Sequence, residues 1–351
     1  MSICQQMKTN TTTIKEIAIL LGISTSTVSR ALRGLPDIKP ETRNAVARVA
    51  EELDYQPNQL AKSLVKNSTK TIGVVVPGLN FHFFASVLIS IEEAALQAGY
   101  SVIICQTHES YLREVNQIEN LVNSRIEGLI ISLARDTTHY GHIEKLIRKK
   151  IPVVLFDRHS EELNISKVIV DNIKAAFEAT EHLIQRGCKR LACLAGPLNL
   201  LISNERVQGF KNALKKYNLP FYPEYVSHGD FSKEHSMFQT FNLMNLPNPP
   251  DGILTISDRI GFATLHALKQ RGIKVPEEIA MVSFNNEPFC NYFTPSVSSI
   301  SQPIQEMGKE AVSLLLKQIE NENPIPETVM LETHLVVRES SMRKVEKIDT
   351  Q

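Results

Sequence analysis

Apolar residues between positions 13 and 53 recur at helical spacing in three short blocks. The first carries Ile14, Ile17, Ala18 and Leu21, and Thr13 with Glu16 three residues later predicts a capping box at its start. Gly22-Ile23 makes a turn, with Gly22 free to take a positive φ. Ser24 is placed to cap a second helix that runs to about Leu32. A loop at 33–37 follows, and Pro40 suits the first position of a third helix carrying Val46, Val49, Ala50 and Leu53. These last four predict a small core against Ile14, Ile17, Val28 and Leu32. Ala18, Gly22 and Val28 stand at the spacing A-x3-G-x5-V, which suits two helices crossing closely through a tight turn. The second helix opens with the hydroxyls Ser24-Thr25-Ser26-Thr27. Small polar side chains at a helix start allow that end to enter a major groove and touch base edges. Taken alone, the same hydroxyls fit helix capping and solvation better.

From position 71 the pattern changes to short apolar runs alternating with amphipathic stretches. Strands are predicted at 71–77, 100–104, 128–132, 152–157, 168–171, 190–196, 252–256 and 280–284, with a final strand at 328–337. Helices are predicted at 84–98, 113–124, 139–150, 173–186, 203–217, 259–271 and 303–321. Apolar strands joined by helical crossovers imply parallel sheets covered on both faces. Two comparable sets imply two lobes. The predicted division is a polar, disordered segment at 1–11, a three-helix domain at 12–57, a short helix and linker at 58–70, and a core at 71–345. Within the core, the first lobe takes about 71–165 and 302–330, the second about 166–301 and 331–345. Ligands of open α/β sheets collect at the carboxyl ends of strands. Asp157-Arg158, Asp171 and Asn285-Asn286 fall at such ends. Two lobes whose ends face one another form a cleft that a ligand can close by hinge motion.

Net charge is zero, but residues 1–70 hold ten Lys or Arg against six Asp or Glu. A basic first fifth on a mildly acidic body fits a nucleic-acid-binding end. The five cysteines are scattered, without a C-x2-C pair, so neither a metal site nor a disulfide framework is expected. The polar residues 1–10 do not read as a secretory signal, and no apolar run approaches ~20 residues, so a cytoplasmic location without membrane contact is expected. His228 and His235 lack neighbours suited to a metal. Nucleotide-binding and serine-hydrolase motifs are absent, so no cofactor and no catalytic residue is expected.

Along nearly its whole length the chain resembles regulators of the LacI/GalR (lactose-repressor) family. The head "TIKEIAILLGISTSTVSRAL" and the following "ETRNAVARVAEELDYQPNQLAKSL" are similar to the family's opening helices, third helix and hinge helix. "TKTIGVVVPG", "IPVVLFDR", "VIVDN", "ERVQGF", "VPEEIAMVSF" and "TPSVSSISQP" resemble landmarks of its core, in the family's order. The resemblance implies a helix-turn-helix head on a core of two doubly wound parallel-sheet lobes, like type I periplasmic binding proteins. It implies a homodimer on a palindromic operator in double-stranded DNA, with the second helix of each head in a major groove. Thr25, Ser26 and Arg30 match its base-reading positions, and Ser24, Thr27 and Ser29 are placed for phosphate. Arg33 stands where members often have Asn and adds a phosphate contact. In the hinge, Asn58 and Lys62 are carried over as DNA contacts. Ala61 lets two hinge helices pack, and Leu64 wedges into the minor groove. Lys62 replaces a frequent Arg.

The resemblance also places Phe83, Phe84, Asp157, Arg158, Asp171, Arg206 and Asn285 around an effector, a sugar or sugar derivative. Asn285 replaces a frequent Asp and so removes a charge, and Asp258 matches a frequent acid at a helix start. Without the resemblance, Phe83 and Phe84 read as core, Asp157-Arg158 as a surface ion pair and Arg206 as a helix-surface charge. The implied function is a sequence-specific repressor controlled by a small molecule. Other readings are a regulator answering to a protein partner, a solute-binding protein, and an α/β enzyme with an added DNA head.

Overall fold

The carboxylate of Glu16 accepts the Thr13 backbone N–H at 2.6 Å and its hydroxyl at 3.2 Å, opening helix α1 (Ile14–Leu21) as the capping-box spacing predicts. The computed structural model describes residues 13–55, 68–321 and 323–343. Its internal contacts divide the chain into two units, Met1–Thr69 and Lys70–Gln351. In the first unit Gly22 ends α1 at φ 62°, a conformation that a side chain would strain. Ser24 Oγ then accepts the Thr27 N–H at 3.1 Å to open α2 (Thr25–Leu32). Helix α3 (Pro40–Glu52) starts on its proline. Ile17, Val28 and Val46 are wholly buried, joined by Ala18, Ala31, Val49 and Ala50. At ~1.5–3 kcal/mol for each large apolar side chain removed from water, this cluster is what holds three short helices together. Leu32 departs from expectation: it is 36% exposed, and Ala31, three residues after Val28, fills the inward position instead.

The second unit contains β1 (Thr71–Val76), α4 (His82–Gln97), β2 (Ser101–Gln106), α5 (Tyr111–Asn123), β3 (Gly128–Ile131), α6 (Gly141–Arg148), β4 (Val153–Phe156) and β5 (Ser166–Val170). It continues with α7 (Asn172–Gln185), β6 (Leu191–Ala195), α8 (Leu201–Lys216), β7 (Val226–His228), α9 (Lys233–Met244), β8 (Gly252–Thr255), α10 (Asp258–Gln270) and β9 (Ala280–Asn285). It closes with β10 (Ser298–Ser301), α11 (Ile304–Glu320), β11 (Thr328–Leu331) and β12 (His334–Val336).

Two six-stranded sheets result, in the orders β11-β5-β4-β3-β1-β2 and β12-β10-β9-β8-β6-β7. Every pairing is parallel except β10 with β12. In β1, Val74 and Val76 face the layer formed by α4 and α11, while Val75 faces α5 and α6. In the second lobe α7 presents Ala175, Ala176 and Ala179 to a close crossing with α8. A Cβ built on Gly209 would lie 2.2 Å from the Ile173 carbonyl oxygen, so that crossing requires glycine.

The chain passes between the lobes three times: after β5, after β10, and between β11 and β12. Two boundaries therefore differ from the sequence reading. Ser166–Val170 pairs with β4 and β11 in the first sheet, not in the second lobe. The single strand expected at 328–337 is two, one in each sheet, because the chain crosses over within it. Three elements went unpredicted. Strand β7 is three half-buried residues without an apolar run. Helix α9 turns Ser236, Gln239 and Thr240 inward, and its Ser236 and Thr240 hydroxyls donate to carbonyls four residues earlier at 2.7 and 2.8 Å. Strand β10 is rich in serine, with Ser298, Ser299 and Ile300 buried.

Candidate DNA-reading helix and interlobe cleft

In the first unit, packing of Val28 and Ala31 turns the opposite face of α2 outward. Thr25, Ser26 and Arg30 are exposed there, with Thr27 and Ser29 half-buried. Ser24 is occupied: besides the cap, its hydroxyl lies 2.6 Å from that of Ser26 and 2.8 Å from that of Thr27. The guanidinium of Arg30 pairs with Asp37. Arg33 donates from Nε to the Ser29 carbonyl at 3.2 Å. Asn58, Ala61, Lys62 and Leu64 lie outside the described residues.

In the second unit, strand ends from both lobes converge on a cleft of about 490 Å³ empty volume, counting its open mouth. Six of the seven effector residues expected from sequence line it: Phe83, Phe84, Asp157, Arg158, Arg206 and Asn285. Asp171 does not. It is exposed, and its carboxylate accepts the Lys174 N–H at 2.8 Å as the N-cap of α7. An acid directly before a helix is drawn to the unpaired N–H groups of the first turn.

Phe83 and Phe84 are both core and wall: each is buried, and their rings meet edge to face at 5.3 Å. Arg158 is no surface partner of Asp157. It forms a buried fork on Glu109, Nη1 to Oε2 at 2.7 Å and Nη2 to Oε1 at 3.0 Å, with its guanidinium 5.4 Å from the Phe84 ring. Burial opposes ionisation of Glu109, but Arg158 and Arg135 outweigh it and hold the carboxyl below its ordinary value. Arg206 is buried rather than on the helix surface. It lies 4.0 Å over the Phe284 ring and donates to Asn172 Oδ1 at 2.8 Å and to the Ile256 carbonyl at 2.7 Å. Burial lowers its pKa to about 10, with Asp157 and Glu205 pulling upward, so it stays charged at neutral pH. Burial raises the Asp157 carboxyl, opposed chiefly by Arg206 and Arg158.

The backbone at the strand ends is also unusual. Asp157, Asn285 and Asn286 take φ of 56°, 106° and 52°. Left-handed conformations in non-glycine residues carry a cost that is often retained at ligand sites. Asn285 is steadied by Gln302, whose Nε2 donates to its Oδ1 at 2.8 Å. Asp258 sits behind the wall, fully buried, accepting the Glu287 N–H and the Ser299 hydroxyl, both at 2.7 Å. Burial raises its pKa to about 6 despite those donors. It braces the loop after β9 instead of meeting the cleft.

Sequence reasoning missed Phe81, Ile202, Phe231, Ser257, Arg259 and Glu287 among the lining residues, and Glu109 behind Arg158. The strand-end rule reaches Ser257, Arg259 and Glu287 once β8 and β9 are known. Phe81 completes an aromatic run, and its ring receives Arg259 from the second lobe at 4.5 Å. Phe231 follows β7, the strand that the sequence hid.

Residues 13–58 match the bacterial regulatory proteins of the lacI family, and residues 180–341 match the periplasmic binding protein-like domain. The chain is 31% identical over 329 residues to the HTH-type transcriptional repressor CytR of Escherichia coli (strain K12), covering 94% of this chain and 96% of that protein. The chain belongs to the LacI family. Among solved structures, the LacI-family fold is shared with a CelR transcriptional regulator–cellobiose complex (TM-score 0.72, 30% identity, 93% of this chain and 99% of that one). It is shared also with the Lac repressor dimer bound to operator and an anti-inducer (TM-score 0.85, 23% identity, 95% and 99%). In this LacI-family chain, α1 to α3 are thus the helix-turn-helix head, and the cleft is that of a periplasmic-binding-protein-like core. Among the described residues no helix is long and apolar enough to cross a membrane.

Proposed function

We propose that this protein is a cytoplasmic transcriptional repressor that binds a palindromic operator as a homodimer and is controlled by a carbohydrate effector in the interlobe cleft. The observation that carries the effector reading is the buried Arg206–Asp157 arrangement facing an aromatic wall. Buried charged groups that line an open cleft keep polar capacity that the hydroxyls of a ligand can use. Fixed guanidinium and carboxylate groups suit vicinal hydroxyls, and phenylalanine rings suit the apolar face of a sugar ring. The CelR relative is solved with cellobiose, which supports the same class here.

DNA binding rests on α2. Thr25, Ser26 and Arg30 are the base-reading side chains, with Arg able to take guanine O6 and N7 together. Ser24, Thr27, Ser29 and Arg33 are assigned to phosphates, and Asn58, Ala61, Lys62 and Leu64, outside the described residues, are assigned to minor-groove contacts. Pairing of two copies is supported by exposed apolar side chains on both lobes: Ile89 and Leu96 on α4, Ile103 and Ile104 on the edge strand β2, Phe238 on α9, and Tyr292. A ligand that closes the cleft shifts the grip on DNA only by its differential affinity for the two states. Asp157→Ala tests the cleft. Operator affinity without sugar is expected to stay within ~3-fold, while the sugar response falls by ~10-fold or more. An unchanged response in an electrophoretic shift assay removes Asp157 from the effector site.

A further inference from the structure

The geometry points to Asp37 as a specificity-determining residue of the head: it holds Arg30 back from DNA phosphates and releases it to a matched base pair. This rests on the DNA reading above, in which Arg30 reads a base, and adds a residue outside the reading helix. Asp37 lies in the loop between α2 and α3, and its carboxylate pairs with the Arg30 guanidinium, both side chains being about half-exposed.

The loop is built to keep it there. Gly34 turns the chain at φ 68°, with its N–H donating to the Ala31 carbonyl at 3.0 Å. The Leu35 N–H donates to the Arg30 carbonyl at 3.2 Å. The Ile38 N–H donates to the Leu35 carbonyl at 3.3 Å, which closes a turn over residues 35–38. Pro36 stands at the second position of that turn, where its fixed φ is favourable. From α3, Arg43 Nη2 donates to the carbonyls of Leu35 at 3.0 Å and Ile38 at 3.4 Å, the two ends of the turn. Asp37 is therefore carried on a short turn tied at both ends.

An acid beside a base-reading arginine works against binding unless it has a task. DNA is a dense line of negative charge and repels a carboxylate brought close to it. Nor does the pair hold the fold, because a half-exposed ion pair contributes little to stability. Among the described residues of the head, Glu16 is used in the capping box, Glu41 lies in the first turn of α3, and Glu51, Glu52 and Asp54 lie at its far end. Asp37 is the acid that meets α2, and Arg30 is the charged residue of α2.

Phosphate and guanine offer Arg30 different things. Non-specific binding is driven by neutralising phosphates and releasing their counterions. An arginine already neutralised by Asp37 has little of that to contribute, so on a wrong sequence it stays paired. A guanine at the matched position offers O6 and N7 together, a fixed pair of acceptors that competes with the carboxylate on geometry as well as charge. Asp37 thereby lowers affinity for wrong sequences more than for the right one.

Fluorescence-anisotropy titrations of the full chain over a range of salt test this. The probes are a palindrome selected by the wild-type chain from a randomised pool and a scrambled duplex of the same length. Asp37→Asn is expected to tighten binding to the scrambled duplex by ~10-fold and to the selected one by ~3-fold or less, narrowing their ratio. It is also expected to steepen the salt dependence on the scrambled duplex by about one phosphate. Asp37→Glu, which keeps the charge, is expected to stay near wild type. In an Arg30→Ala background, Asp37→Asn is expected to act equally on both duplexes, because nothing is left for the acid to hold. An equal gain on both duplexes with Arg30 intact, or no gain on either, overturns the proposal and leaves the base-reading role of Arg30 standing. So does a narrowing by Asp37→Asn that persists without Arg30. If Arg30→Ala alone leaves base preference unchanged, the base-reading role itself fails, and the proposal with it.

Discussion

Arg30 has two partners to choose between. Its ion pair with Asp37 is half-exposed, and such pairs contribute only ~0–1 kcal/mol, so in the proposed operator complex a guanine edge worth ~1–3 kcal/mol would displace it. Arg30→Ala is expected to weaken binding and relax base preference at one position in each half-site, read by selection from a randomised operator. An unchanged preference contradicts the assignment. Asp258 makes a prediction about pH. Its folded pKa of about 6 lies above its ordinary 3.8, so the folded chain holds the extra proton between about pH 4 and 6. Stability from this group is therefore present at the acid end and lost as pH rises through 6, to the order of 3 kcal/mol. Going from pH 6.5 to 4.5 is expected to stabilise the wild type relative to Asp258→Asn in urea unfolding. A pH-independent difference contradicts the placement of that carboxyl. Residue chemistry was partly legible beforehand. Six of the seven residues expected around an effector line one cleft, while Asp171 caps a helix outside it, because a strand-end acid and a helix cap look alike in one dimension.

Elements with strong apolar periodicity were readable, and those with polar interiors were not. The capping box at Thr13, the turn at Gly22 and Pro40 at the head of α3 each follow from local rules. Helix α9 and strands β7 and β10 bury serine, threonine, glutamine or too few residues to print a pattern. Their burial is set by neighbours distant in sequence. The division of 328–337 into two strands is likewise a matter of topology. The α7–α8 crossing offers the sharpest test at this scale. Gly209→Ala places a methyl against the Ile173 carbonyl and Ala176, an overpacking expected to cost ~1–3 kcal/mol or more. Thermal unfolding reads this directly. A stability within ~0.5 kcal/mol of wild type contradicts the close crossing.

At the scale of the molecule, charge, symmetry and linkage must act together. The basic surplus in residues 1–70 supplies non-specific attraction, and two copies are needed to read both halves of a palindrome. Exposed apolar residues on α4, β2 and α9 are the surface proposed for that pairing. In the proposed function the cleft biases the pair through ligand affinity alone. The measurement that tests this most directly is a fluorescence-anisotropy titration of the full chain on its selected palindrome, on a single half-site and on random duplex, with and without glucose, galactose, ribose, cellobiose, maltose or lactose. The account predicts two chains per palindrome, a preference over random duplex of ~10³-fold or more, and a shift in that affinity with one sugar. Equal affinity for all three duplexes, unmoved by any of those sugars, contradicts it.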